Sequence, residues 1–193
     1  MHKSKPMKKL EIVGYKRETV GTKSAKDLRN EALVPCVLYG GKESVNFYAP
    51  MILFRDLLYS PNVYEVELNI EGSIYRAVLQ DSQFHPVNDM LLHVDFLEVD
   101  DVKKVKLNVP VKFMGSSKGV LIGGKLSVKL RSLTLKGTVN DIPDFVEVNI
   151  AHLDLGKSVK VGEVNVEGVV ILNSPSNPIA TVDIPRALRG KIG

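Results

Sequence analysis

Apolar and polar residues alternate over much of this chain, and a period of two predicts strands. Glu65-Val-Glu-Leu-Asn-Ile70 and Ile74-Tyr-Arg-Ala-Val-Leu79 flank Glu71-Gly-Ser, and turn chemistry between two alternating runs predicts a hairpin. The clearest alternation puts Val105, Leu107, Val109, Val111 and Phe113 on one face and Lys104, Lys106, Asn108 and Lys112 on the other. Pro110 lies within that run and cannot donate to a ladder, which predicts an edge position or a bulge. Further strands are expected at Leu126–Leu130, Phe145–Ile150 and Val159–Val161.

Helical spacing is confined to two short segments. Ser24-Ala-Lys-Asp27 has the form of a capping box with Asp in place of the usual Glu. Ala25, Leu28 and Ala32 share one helical face there, and Pro35 forbids continuation. Between Pro50 and Tyr59, Met51, Phe54, Leu57 and Leu58 recur at helical spacing, and Ser60-Pro-Asn62 closes the segment. The acidic, unpatterned Glu98-Val-Asp-Asp-Val102 predicts a linker, with a domain boundary near residue 99. The expected architecture is two β-rich domains in tandem, residues 1–98 and 99–193.

Length and composition fit that picture, since 193 residues allow one large or two modest cores and the charged fraction of 25% is ordinary for a globular protein. The single Cys36 cannot form an internal disulfide, and its apolar run predicts a small buried thiol in a reducing cytoplasm. The basic N-terminus leads into no apolar stretch, so no signal peptide is expected, and no apolar run approaches the roughly 20 residues that span a bilayer. Charge is unevenly placed: residues 1–29 carry +6, residues 30–98 carry −7 and residues 99–193 carry +5. A cationic arm beside an acidic body favours a localised polyanion contact, with a solvated charged surface as the bland alternative. The +5 of the second half allows contacts with RNA or acidic proteins.

The stretch from Arg17 to Gly41 concentrates the candidate chemistry. With Lys16 just before it, the stretch holds Arg17 and Lys23 around a turn, Lys26 and Arg29 on the predicted helix, and Pro35-Cys-Val-Leu-Tyr39 running into Gly40-Gly41. Cations, a ring and a tight turn suit a surface that grips phosphates and reads bases or sugars beside them. Tyr39 is either a core aromatic at a strand end or a ring left accessible because the glycines let another backbone approach. Gly119-Val-Leu-Ile-Gly-Gly124-Lys125 matches the start of a phosphate-binding loop, but Leu126 replaces the needed Ser/Thr and a strand follows instead of a helix, so a glycine-rich connection is expected. His93 and Asp95 are two apart and project from one strand face, with Leu92, Val94 and Phe96 toward the core. With His85 they leave three readings open: a metal or catalytic site, a polar patch facing RNA, or a satisfied structural pair. The basic tail Pro185–Gly193 reads as a solvated terminus in preference to a second RNA contact.

These motifs resemble the Ctc family, the bacterial large-subunit ribosomal proteins numbered twenty-five, in the long two-domain form. The first half carries the resemblance in Arg17, Leu28-Arg29, Pro35–Gly41, Gln80-Asp-Ser-Gln-Phe-His-Pro86 and Leu92–Phe96. The second carries it in Val109-Pro-Val, Gly119–Gly124, Ile142–Ile150 and Leu153–Ser158. The resemblance implies a mainly β fold: an N-terminal β-barrel domain with short helices, then a second all-β domain. It implies a non-enzymatic structural component of the large ribosomal subunit that binds 5S rRNA at loop E, with an additional general-stress role. Arg17, Lys26, Arg29, Tyr39, His93 and Asp95 match RNA-contacting or basic positions, and Gln83 and His85 lie in the matching loop. Asp27 and Asn30 depart from arginines of some relatives, and Asp27 is expected to serve the helix N-terminus. No cofactor or metal is implied. The implied partners are 5S rRNA, the large subunit and neighbouring ribosomal proteins, with no membrane and a monomer off the ribosome. The rivals are a metal-dependent enzyme using His85, His93 and Asp95, and a protein-interaction stress factor acting through the second domain. Arg29→Ala is expected to weaken 5S binding with the melting temperature nearly unchanged.

Overall fold

The computed structural model describes residues 7–19 and 21–185. In the first half, β1 (Lys8–Lys16), α1 (Thr22–Asn30), β2 (Leu33–Tyr39), β3 (Val45–Pro50), α2 (Arg55–Tyr59), β4 (Tyr64–Ile70), β5 (Ser73–Phe84) and β6 (Leu91–Glu98) follow in chain order. The strands close into a six-stranded barrel in the order β1-β3-β2-β6-β5-β4. Parallel pairing of β1 with β4 closes it, and a second parallel pair joins β2 to β6. Alternation fills the interior: Ile12, Val34, Cys36, Leu38, Phe47, Val66, Leu68 and Phe96 are all buried. Phe96 sits between Phe47 and Phe54, with ring centroids 6.0 and 6.3 Å away.

The predicted hairpin is β4–β5, and both of its turn residues, Glu71 and Gly72, adopt positive φ (49° and 88°), as the right-handed strand twist requires of a two-residue turn. The predicted second helix is a 3-10 turn over Met51–Phe54 continuing into α2, and it plugs the barrel with Phe54 and Leu57. The first helix differs from expectation. α1 begins at Thr22 behind Gly21, with no side-chain cap, so the Ser24–Asp27 box does not form. Ser24 is instead inside the first turn, donating to the Thr19 carbonyl and accepting from Arg17. The helix ends at Asn30, well before Pro35, and Ala32 leaves the apolar face, exposed at φ 58°. Asp27 lies beyond the first turn, which contains no acidic residue, so it does not serve the helix N-terminus.

The second half comprises β7 (Lys104–Met114), α3 (Lys118–Leu121), β8 (Lys125–Val128), β9 (Ser132–Thr138), β10 (Val146–Asn149), β11 (Ser158–Lys160), β12 (Val170–Ile171) and β13 (Pro178–Asp183). One sheet runs β10-β7-β9-β12 and the other β11-β13-β8. They share a core of Val105, Leu107, Val109, Leu133, Leu135, Ile179 and Val182. β7 lies inside its sheet, so Pro110 is not on an edge strand. The Val111 N–H donates to the Arg131 carbonyl on the β9 side (2.9 Å), so the Pro110 nitrogen faces the other side, where β10 pairs only from Val111 onward. The proline therefore leaves no ladder position empty. Residues 118–124 are a four-residue helix and a turn feeding β8, with Gly123 at φ 100°, as expected for a connection.

The acidic stretch between the units is anchored at two points. Val99 is buried, and Asp101 accepts from Arg76 (2.9 Å) and Asn140 (3.4 Å). Arg76 also holds the buried Glu65 at 2.6 Å, and the Lys8 N–H donates to the buried Asp144. On β5, Ala77 belongs to the barrel interior, whereas its neighbour Val78 is buried against the core of the second unit.

Candidate nucleic-acid interface

Cations bracket α1. The Arg17 guanidinium donates to the Gly21 carbonyl (3.0 Å) and to Ser24 Oγ (3.4 Å), fastening the loop that precedes the helix. At the other end, Arg29 Nε donates to the Leu92 carbonyl (3.0 Å), tying the helix to the start of β6, and the residue is half-buried. Lys26 is exposed on the helix between them. Each arginine therefore fastens an element next to α1, Arg17 through a terminal nitrogen and Arg29 through Nε.

The outer barrel wall beside this helix is built by register. Val37 opposes Asn46 on one side and Asp95 on the other, Asp81 opposes Asp95, and Gln83 opposes His93. Register shifts at Leu79/Asp81 and Gln83/Phe84 adjust β5 to β6. The second of these shifts brings Leu91, and not Leu92, into the core; Leu92 is only half-buried. His93 Nδ1 lies 2.6 Å from Asp95 Oδ1, and both side chains are 29% exposed. The Asp95 carboxylate thus lies against the Nδ1 side of the ring, and Nε2 is on the far side from it.

Tyr39 ends β2 partly buried, and burial, reinforced by Asp95 and Asp81, holds its hydroxyl above its ordinary pKa. Its hydroxyl is therefore a neutral donor. The glycines after it serve the protein itself. A Cβ at Gly40, where φ is 95°, would meet Leu97 at 2.6 Å and Lys103 Nζ at 2.8 Å; at Gly41 it would strike the Glu98 carboxylate. His85 stands apart in the turn after β5, its Nδ1 accepting from the Val87 N–H (3.3 Å). Among the described residues no three His, Cys, Asp or Glu groups gather as a metal site, so His85 does not complete a triad with His93 and Asp95. Burial raises the pKa of the Cys36 thiol, consistent with a core role.

Sequence reasoning did not single out Asp81 or the stacked pair Tyr15–Tyr48, whose centroids are 5.7 Å apart. Tyr15 is half exposed on β1 and extends the same wall through the Tyr48–Pro35 pairing. The outward phase of the alternation in β1 and β5 held that signal, but only the pairing shows that these residues are neighbours.

Residues 12–96 match the Ribosomal L25p family, and residues 104–186 match the C-terminal domain of ribosomal protein TL5. Three similar relatives are each named large ribosomal subunit protein bL25. The protein of Cytophaga hutchinsonii is 51% identical, with 95% of each chain covered. That of Amoebophilus asiaticus is 45% identical over 95% of this chain and 93% of its own. That of Porphyromonas gingivalis is 43% identical over 95% and 97%. The chain belongs to the ribosomal L25p family. The L25p match spans the barrel from β1 to β6 and contains Arg17, Lys26, Arg29, Tyr39, Gln83, His85, His93 and Asp95. In this L25p member, the closed barrel brings Gln83, His93 and Asp95 onto one wall, sets the α1 cations beside it, and leaves His85 at its margin.

Proposed function

We propose that this chain, a non-enzymatic structural protein of the large ribosomal subunit, binds 5S rRNA in its loop E region through the barrel wall beside α1. The observation that carries this reading is the His93–Asp95 pair, held at 2.6 Å on a wall flanked by Arg29 and Arg17. Arg17, Lys26 and Arg29 neutralise phosphates and set the register of the RNA. Tyr39 donates from a neutral hydroxyl, Gln83 offers an amide, and His93 and Asp95 present an acceptor or donor beside a carboxylate. Regular A-form RNA hides its major-groove edges, whereas a run of non-Watson–Crick pairs alters the groove and exposes edges to such groups. Asp81 and Asp95 together make the wall repel a plain phosphate backbone, which favours amino groups and 2′-hydroxyls at that point.

A gel shift tests this with a loop E fragment and a regular duplex of equal length. Preferential binding of loop E, weakening as salt rises, is expected. Equal affinity for both would reduce the contact to generic attraction between cations and phosphates.

A further inference from the structure

The outer face of the four-stranded sheet carries a second concentration of charge. Lys106 on β7 lies directly opposite Lys136 on β9, and Lys104 opposes Thr138 one step along the same face. All three lysines are exposed, and none forms an ion pair among the described residues. Like charges placed directly across a ladder destabilise it, so the pair costs stability in the free protein. Among the described residues no carboxylate comes within ion-pair distance of the three lysines. Asp141 accepts from Thr138 (2.6 Å), and Glu147 opposes Lys112, whose ammonium lies 3.5 Å over the Phe145 ring. The face is also joined to the barrel wall. A groove of about 460 Å³ runs from Gln80, Asp81 and Ser82 of β5 to Lys106, Asn108 and Thr134. Asp81 is the residue that opposes Asp95, so the groove starts where the reading wall ends.

We infer that Lys104, Lys106 and Lys136 form a second RNA contact, which takes the phosphate backbone of a helix continuous with the one read by the barrel. An anionic backbone is the occupant that the charge favours, because each phosphate pair relieves the repulsion that the ladder carries. The groove between the two contacts is polar along its walls, which suits riboses and bridging water. The inference rests on the loop E reading only for the direction from which the RNA arrives.

The test uses the full chain and its K106Q/K136Q variant with a minimal loop E duplex and with the same duplex lengthened by a regular helix at one end or the other. The parent should bind one lengthened duplex more tightly than the minimal one. The variant should lose that gain, bind the minimal duplex as the parent does, and melt no lower than the parent. Its loss of affinity on the lengthened duplex over a fourfold rise in salt should be about tenfold smaller, as two fewer phosphate contacts require. The inference is overturned if neither extension improves binding, or if the variant keeps the gain. It is equally overturned if RNA binding is intact but the variant fails to capture an acidic large-subunit protein, since the face would then serve a protein. A parent that does not bind the minimal duplex sinks the loop E reading instead, and the gain from extension still decides this one.

Discussion

The two charged surfaces of this molecule are built on opposite plans. On the barrel wall, polar groups are tied to the protein: Asp95 to His93, Arg29 to Leu92, Arg17 to Gly21 and Ser24. On the outer sheet of the second unit, Lys104, Lys106 and Lys136 stand exposed without ionic partners among the described residues, two of them face to face. Tied groups are pre-oriented and discriminate between ligands, while free ammonium groups follow any phosphate that comes near. On the proposed function, the first arrangement would read RNA and the second would hold it.

The harshest way to break the comparison is to collapse the wall from within. Phe96→Ala removes the ring packed between Phe47 and Phe54 and should cost about 3–5 kcal/mol in a urea melt. Loop E binding should go with it; preserved binding in a destabilised barrel would deny that the packed wall makes the reading surface. Asp95→Asn is next. It keeps the shape but removes the charge beside His93, and the preference for loop E over plain duplex should fall about tenfold. The salt slope should not change, and a changed slope would mean that the wall holds phosphate after all.

Arg29 sharpens the contrast by doing both jobs. Its bond to the Leu92 carbonyl means that Arg29→Ala should lower Tm by about 2–4 °C, and not leave it untouched as the sequence alone suggests. Arg29→Lys should share that fall yet keep most of the salt-dependent affinity, because the charge survives and the fork does not. The smallest effect lies at the junction of the two units. Arg76, and then Asn140, hold Asp101 below its ordinary pKa of 3.8. A lowered folded value means that the contact stabilises above that pH and is lost as pH falls through the depressed pKa. Compared with Asp101→Asn across a pH series, the parent should hold a slight, constant Tm advantage at neutral pH that disappears in acid.

Much of this was legible in the chain because alternation has only one structural consequence. The β4–β5 hairpin and the buried face of β7 follow from period two and turn residues alone. The start of α1 was not legible, because Ser24 satisfies a capping pattern locally while Arg17 and Thr19 recruit its hydroxyl for the preceding loop. The phase of β6 was missed at its first residues, where a register shift opposite Gln83 and Phe84 exchanges Leu91 for Leu92. Gly40 and Gly41 looked like an opening for a ligand, but the space they leave is occupied by Leu97, Lys103 and Glu98. Pairing His93 with Asp95 needed only strand geometry; placing Asp81 opposite them needed the bulge.

The parallel joins of the barrel carry a consequence for synthesis. β2 pairs with β6, the last strand of the barrel to be made, whereas β3 and the β4–β5 hairpin pair with near neighbours. A growing chain can assemble those local pieces early, but loop closure across the whole unit must wait for Leu91–Glu98. Only then do Tyr39, His93 and Asp95 come onto one wall. An unfinished copy therefore has the α1 cations without a closed barrel beside them, and the last strand of the unit completes the fold and the wall together.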